Sequence, residues 1–146
     1  MQKNVPDAET ELQAMLNPPP IILRALGPRD EVIQQLHDEG IVATPCQKSP
    51  YGIQLDTYLN LKNTKAWKRG LLEIQDEGAQ LVALDIGVKP KQSVFDFCAG
   101  AGGKSLIFAQ IMNNKGFIQA YDITPKKLFE LIPNVYNKKD SNVGLL

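Results

Sequence analysis

Cysteine, histidine and long apolar runs are scarce in this sequence, and each scarcity removes a class of protein. Two cysteines, Cys46 and Cys98, stand far apart with no C-x-x-C, and His37 is the one histidine in 146 residues. Neither a zinc site nor a disulfide scaffold is expected from such a set. No run of 18 apolar residues occurs, and the opening MQKNVPDAETELQ lacks the apolar core of a signal peptide. The expectation is a cytoplasmic chain with no membrane span and no metal. Net charge is also missing, at +0, but its distribution is uneven. Residues 1–60 carry four Lys/Arg against eight Asp/Glu, and residues 61–146 carry twelve against eight. A basic second half suits a polyanion such as RNA, although plain solvated surface produces the same imbalance more often. With 43% hydrophobic residues, there is material for one modest domain, or for a small domain joined to part of another.

The densest signal lies in residues 93–111, SVFDFCAGAGGKSLIFAQI. Residues 94–97 have strand character. A turn of small residues follows (Ala99, Gly100, Ala101, Gly102, Gly103), and then Leu106, Ile107, Ala109 and Ile111 recur at helical spacing. Glycine in such a turn permits positive φ and removes the Cβ that would hold a ligand away, so N–H groups at the helix start can face a bound group. One unit further on, GFIQAYDI reads as a short strand ending in Asp122, 20 residues past Gly102. That is the spacing at which Rossmann-type units place an acid on a ribose diol. Two strand tips then converge on one nucleoside, at the carboxyl ends of neighbouring parallel strands. Spacing alone leaves NAD and S-adenosylmethionine (SAM) both open. The NAD fingerprint G-x-G-x-x-G fails at its third glycine, where Ser105 stands; GGKS fails as a phosphate-binding P-loop because Cys98 occupies the place of that motif's first glycine.

Around this centre the pattern is β, α, β, β and then a longer α/β run. A helical pattern in residues 9–16 is stopped by the NPPP of residues 17–20. Ile21–Ala25 is β-like, residues 28–39 set Val32, Ile33 and Leu36 on one helical face with Gly40 as the stop, and residues 41–43 and Gly52–Leu55 read as two further strands. His37 is expected at the surface near that helix end. This unit is too small to stand well alone, so residues 1–58 are expected to pack as an accessory module on residues 59–146. Trp67 stands among Lys62, Lys65, Lys68 and Arg69. Stacking of a base there is conceivable, but a lone tryptophan is better read as anchoring a connector on the core. Residues 71–75 are a short β-like run, and Asp76 is placed to cap a helix expected to bury Ala79, Leu81, Val82, Leu84 and Ile86. After Asp122, Thr124 is expected to cap a helix with Pro125 in its first turn, and Pro133 to bend or interrupt it. Residues 142–146 read as the opening of a third strand, which leaves the sheet incomplete with apolar edges to be covered.

Taken together, GLLEIQDEGAQLVALDIG, SVFDFCAGAGGKS and GFIQAYDITPKKL resemble, in order and spacing, the RNA cytosine-5 methyltransferases of the RsmB/Nop2/Sun family, over about residues 18–146. Gln75, Asp76 and Gln80 match that family's Q-D-x-x-x-Q helix. Asp96, Cys98, Ala99, Gly102, Gly103 and Lys104 match its D-x-C-A-A-P-G-G-K-T loop. Gly100 and Ala101 replace the usual Ala and Pro, and Ser105 replaces Thr; without the proline the loop is freer before binding, an ordering cost that does not block the site. The resemblance implies an α/β fold, namely an incomplete Rossmann-like class I SAM-methyltransferase sheet preceded by a small α+β, RNA-recognition-like module. It implies SAM as cofactor, cradled by Cys98, Ala99, Gly100, Ala101, Gly102, Gly103 and Lys104, with the ribose hydroxyls on Asp122 and Lys104 near the methyl-transfer centre. It also implies RNA as partner, with ribosomal RNA the expected one.

Methylation of cytosine C5 needs a thiolate to add at C6, attack of C5 on the SAM methyl, and loss of the C5 proton. In the resembled family two cysteines after the ribose-binding acid do this, and here no cysteine follows Cys98. Cys46, within Pro45-Cys46-Gln47, precedes the SAM loop and is expected to be a small half-buried strand residue. Cys98 lies where the family keeps a non-nucleophilic cysteine. No catalytic residue is therefore assigned within the chain; the nucleophile is expected beyond Leu146, in a carboxyl-terminal part of the same domain. The expectation is an rRNA cytosine-5 methyltransferase represented by its SAM-binding portion and inactive alone. The alternatives are a non-catalytic truncated product that binds RNA or protein and, less favoured, an NAD-binding Rossmann fragment.

Overall fold

The computed structural model describes residues 7–16, 18–138 and 143–145. A lead-in helix α1 (Ala8–Leu16) is followed by β1 (Ile21–Ala25), α2 (Arg29–Asp38), β2 (Ala43–Pro45), β3 (Gly52–Leu55), the one-turn helix α3 (Lys65–Lys68) and β4 (Leu72–Ile74). The strands form one antiparallel sheet of order β2-β3-β1-β4. Its alternation is one-sided: Leu23, Ala25, Ile53, Leu55 and Leu72 turn inward, and Val32, Leu36 and Ala66 from α2 and α3 close the core. β1 and β3 fall where periodicity places them, but β2 begins at Ala43, not Ile41. The reason is how α2 ends. Gly40, at φ +76, donates to the His37 carbonyl at 2.9 Å, and Ile41 donates to Leu36 at 3.0 Å, the paired bonds of a Schellman closure. Ile41 thus still belongs to the helix terminus. β4 lies beyond the 1–58 module drawn from sequence, and it pairs with β1 in the register Leu23↔Ile74, Ala25↔Leu72.

The second half runs α4 (Glu77–Asp85), β5 (Ser93–Asp96), α5 (Gly103–Ile111), β6 (Phe117–Ala120), α6 (Pro125–Lys138) and β7 (Val143–Leu145). β5, β6 and β7 form a parallel sheet in that order. α5 buries Ile107, Phe108, Ala109 and Met112 against Ile118, with Val94 at the margin. Leu106 meets Ala120 together with Leu128 and Leu131 of α6. Both helices therefore sit on the Val94, Ile118, Ala120 face. The opposite face presents Phe95, Phe97 and Phe117, all exposed; Phe97 stacks on Tyr121 with ring centroids 5.1 Å apart and meets Phe95 edge-on at 5.6 Å. A parallel sheet normally has both faces covered, and among the described residues helices cover one.

Two expectations are corrected. α4 does not bury its whole apolar set: Gln80 and Ala83 are the buried positions, while Val82 and Ile86 are exposed, because the helix lies on β1 and α5 along one stripe only. α6 is not interrupted at Pro133 and continues to Lys138; a proline removes one i→i−4 bond, and the helix is held upstream by buried Leu128 and Leu131. The expected stop at 17–20 and the third strand at 142–146 each include residues outside the described set. Among the described residues, no helix is long and apolar enough to cross a membrane.

The two sheets are clasped by a polar contact. Arg24, fully buried, donates from Nη2 to Glu73 Oε2 at 3.0 Å and from Nη1 to Gln110 Oε1 of α5. Gln110 Nε2 in turn donates to the Ala25 carbonyl at 3.1 Å. Gln110→Ala removes a charge-assisted bond and a carbonyl's donor, so it is expected to lower stability by about 2 kcal/mol. The measurement is a fall in the urea midpoint with an unchanged slope.

Candidate functional site

The site is built at the carboxyl tips of β5 and β6. After β5 the chain must turn sharply into α5, and it does so with Gly100 at φ +56 and Gly102 at φ +87. Tyr121 N donates to the Asp96 carbonyl at 2.8 Å, and Ala99 N to the Tyr121 carbonyl at 2.9 Å, so the strand ladder extends into the loop. Gly100 N then donates to Asp122 Oδ2 at 2.9 Å. The loop and the acid, 22 residues apart, are thereby brought into contact as their spacing implies. The other carboxylate oxygen, Oδ1, accepts from Thr124 N at 2.8 Å. Asp122 thus closes a turn onto Thr124, the residue before α6, whose carbonyl accepts from Lys127 N at 3.0 Å. The Thr124 and then the Gly100 N–H groups hold the Asp122 carboxyl below the usual carboxylate range, so it stays ionised, and a carboxylate has acceptor sites beyond these two bonds.

Of the other loop residues, Cys98 and Ala101 are exposed, Ala99 and Gly102 are buried, and Gly103 and Lys104 are half-buried. α5 begins without a side-chain cap. Its first-turn N–H groups have no acceptor within the helix and are free to serve a ligand. A Cβ built on Gly100 would meet nothing within 4 Å, so the loop has open space on that side. A carboxylate beside first-turn amides and an open, small-residue cradle suits a group with a diol at one end and a charged backbone-like part at the other. Among the described residues, no group of three His, Cys, Asp or Glu side chains is placed to hold a metal ion.

Several residues that the motif match had marked without a role are the ones that position this loop. Ser105, fully buried, donates to Asp96 Oδ2 at 2.7 Å and ties the first turn of α5 to the end of β5. Gln75 Nε2 donates to the Gly103 carbonyl at 3.0 Å. Asp76 caps α4 through Gly78 N at 2.8 Å and Ala79 N at 3.3 Å. Gln80 is fully buried: its Nε2 donates to the carbonyls of Gln75 at 2.9 Å and Leu23 at 3.2 Å, and its Oε1 accepts from Ser49 Oγ at 2.6 Å. Glu77 holds the same turn, and the Ser49 and Lys48 N–H groups on its carboxylate lower its pKa. Their signal in the sequence was the motif; what it could not disclose was the set of partners.

The remaining candidates lie elsewhere. Cys46 is buried just after β2, close against Gly52, and burial pushes its thiol pKa up, with Glu77 adding to the effect. His37 brings Nε2 to 2.9 Å from the Ala43 carbonyl and serves the first module.

No protein-family model matches the chain. Over 120 residues it is 30% identical to the ribosomal RNA small subunit methyltransferase B of Pseudomonas syringae pv. tomato, a match covering 80% of this chain and 27% of that protein. Over 130 residues it is 26% identical to the human 28S rRNA (cytosine(4447)-C(5))-methyltransferase, covering 86% and 16%. Among solved structures, a methyltransferase homolog from Pyrococcus horikoshii superposes with a TM-score of 0.82 at 26% identity, covering 92% of this chain and 45% of that one. The chain spans about a quarter of the length of the bacterial relatives it matches. Parallel strands in this order, a glycine loop at their tips touching the acid of the next strand, and relatives of this kind place the chain in the RsmB/Nop2/Sun family, to which it belongs.

Proposed function

We propose that these residues hold the methyl donor of an RNA cytosine-5 methyltransferase acting on ribosomal RNA. SAM sits on residues 98–104, with its ribose hydroxyls on Asp122, and when bound it supplies an electrophilic methyl group. Asp122, ionised and fixed by two N–H groups, accepts from the diol; the α5 amides and Lys104 orient the amino-acid end. The observation that carries this reading is the 2.9 Å bond from Gly100 N to Asp122 Oδ2, which brings the loop and the acid into contact. The human relative, a 28S rRNA (cytosine(4447)-C(5))-methyltransferase, supports cytosine C5 as the target.

The thiolate that adds to C6 is proposed to come from outside these 146 residues. Of the two cysteines, Cys46 is buried with a raised pKa, and Cys98 stands in the donor loop itself. The bare face of Phe95, Phe97 and Phe117 is the proposed contact for the polypeptide that brings the nucleophile. A division into an accessory module and a donor-binding part, drawn at residue 58 from the sequence and carried past β4 by its pairing with β1, in a cytoplasmic enzyme, completes the proposal.

Calorimetry with SAM, its demethylated product and NAD tests the cofactor. Heat is expected for the first two alone, and Asp122→Ala is expected to weaken both by at least about 10-fold, the loss of hydrogen bonds to a charged group. Because the Asp122 pKa is lowered, affinity is expected to be flat from neutral pH down to about 4 and to fall only as the carboxylate protonates below that. Equal or preferred NAD binding would overturn the assignment.

A further inference from the structure

A cavity with no role so far lies beside β4. It has a volume of about 500 Å³, and its lining includes Pro19, Ile22, Tyr58, Lys62, Trp67 and Ile74. That volume is in the range of sites for small ligands or single ligand groups. Two of its walls are aromatic and both are fixed in advance. Tyr58 is 65% exposed, yet its hydroxyl donates to the Pro19 carbonyl at 2.5 Å, which holds an otherwise free ring across the lip. Trp67 is partly buried and packs on the first core. The anchoring role expected of the tryptophan is thus filled, and the ring still presents surface to the cavity.

Three lysines stand around these rings, and the Glu39 carboxylate near them is engaged by the Lys65 and Ala66 N–H groups. Lys62 lines the cavity, Lys65 and Lys68 flank Trp67 on α3, and none of the three forms an ion pair among the described residues. The acid in the lining, Asp76, has its Oδ1 committed to the N–H groups that start α4. Asn60 also lines the cavity; its Oδ1 accepts from Lys62 N, which leaves its amide N–H₂ to donate. The cavity wall is also tied to the donor loop through one hydrogen bond. Ile74 and Asp76 belong to its wall, and Gln75 between them holds the Gly103 carbonyl at the start of α5.

Preset aromatic rings beside unpaired ammonium groups match the two chemistries of an unpaired nucleotide, a π-face and a phosphate. We infer that this cavity takes one unpaired base of the RNA, stacked on Tyr58 and Trp67 with the adjoining phosphate on Lys62, so that a strand held here is led toward the donor loop. The inference rests on the RNA reading above. An apolar cavity without the lysines would suit a peptide equally well; Lys62 in the lining, with Lys65 and Lys68 beside Trp67, decides for RNA.

Trp67 is the chain's one tryptophan, so its emission reports on this cavity directly. The experiment titrates the full chain with an unpaired oligoribonucleotide of about eight residues, following end-label anisotropy for any binding and Trp67 emission for binding here. Quenching that tracks the anisotropy is expected. Tyr58→Ala should weaken binding about 10-fold, while Tyr58→Phe, which keeps the ring, should change it by less than about threefold. Lys62→Gln should reduce the slope of log affinity against log salt by about 0.7, one phosphate contact on a single strand. If anisotropy reports binding while Trp67 emission and the Tyr58→Ala affinity stay unchanged, RNA binds elsewhere; the cavity assignment then falls and the RNA reading survives. If no RNA binds by either readout, the RNA reading itself falls. An emission change produced by a peptide of residues 7–16 and not by RNA would overturn the assignment in favour of a protein contact.

Discussion

Gly102→Ala is expected to destabilise the protein by about 2–5 kcal/mol, the sum of a left-handed backbone penalty and an overpacked core. Gly102 sits at φ +87, where an L-residue crowds its own carbonyl at a cost of about 1–2 kcal/mol. An added Cβ would also lie 2.1 Å from Leu131 Cδ1 and 2.9 Å from its Cγ. Leu131 cannot swing clear, because it is fully buried among Ala99, Leu106, Ala120 and Leu128. The displacement therefore passes to α6, and Asp122 holds the N–H of Thr124 immediately before that helix. Donor binding should weaken along with stability. Gly100→Ala separates the two causes: its φ is also positive, at +56, but its Cβ meets nothing within 4 Å. It is expected to show the backbone penalty alone, about 1 kcal/mol. Urea midpoints of the two variants decide the matter, and equal losses would mean that the contact with Leu131 is not what requires a glycine at 102.

The same loop shows why some of this protein was legible in its sequence and some was not. Small residues between a strand and a helical repeat are a local signal, and the distance from Gly102 to Asp122 is fixed by the length of one βαβ unit. Both could be read without knowing anything distant. The end of α2 was legible for the same reason, although the closure at Gly40 took two residues from the strand drawn after it. What could not be read depended on partners far along the chain. β4 pairs with a strand that begins some fifty residues earlier, and three residues of β character say nothing about where their partner is. The sequence around Val82 and Ile86 reads as buried because an apolar helix is usually surrounded, whereas α4 has neighbours along one stripe only. The cavity beside Trp67 draws on Pro19, Tyr58 and Ile74, an assembly that no local window contains.

Gln80 is the furthest case, a polar residue at zero exposure in a helix whose neighbours are apolar. Gln80→Ala is expected to cost about 4 kcal/mol, since it strands the Gln75 carbonyl and the Ser49 hydroxyl in a buried setting, at roughly 1–3 kcal/mol each, removes a second donor from the Leu23 carbonyl, and leaves a cavity. In thermal unfolding that is a fall of roughly 10 °C for a chain of this size. The loss should also reach the donor loop. Gln80 holds the Gln75 carbonyl, and Gln75 holds the Gly103 carbonyl, so releasing the first bond frees the residue that makes the second. Cavity and hydrogen bonding are told apart by Gln80→Met, which refills the volume and restores none of the three bonds. If the bonds are what matter, methionine should be nearly as damaging as alanine, and both should weaken SAM. If methionine instead recovers most of the stability, the glutamine of this motif is a packing residue, and the link from β1 through α4 to the loop is not carried by its amide.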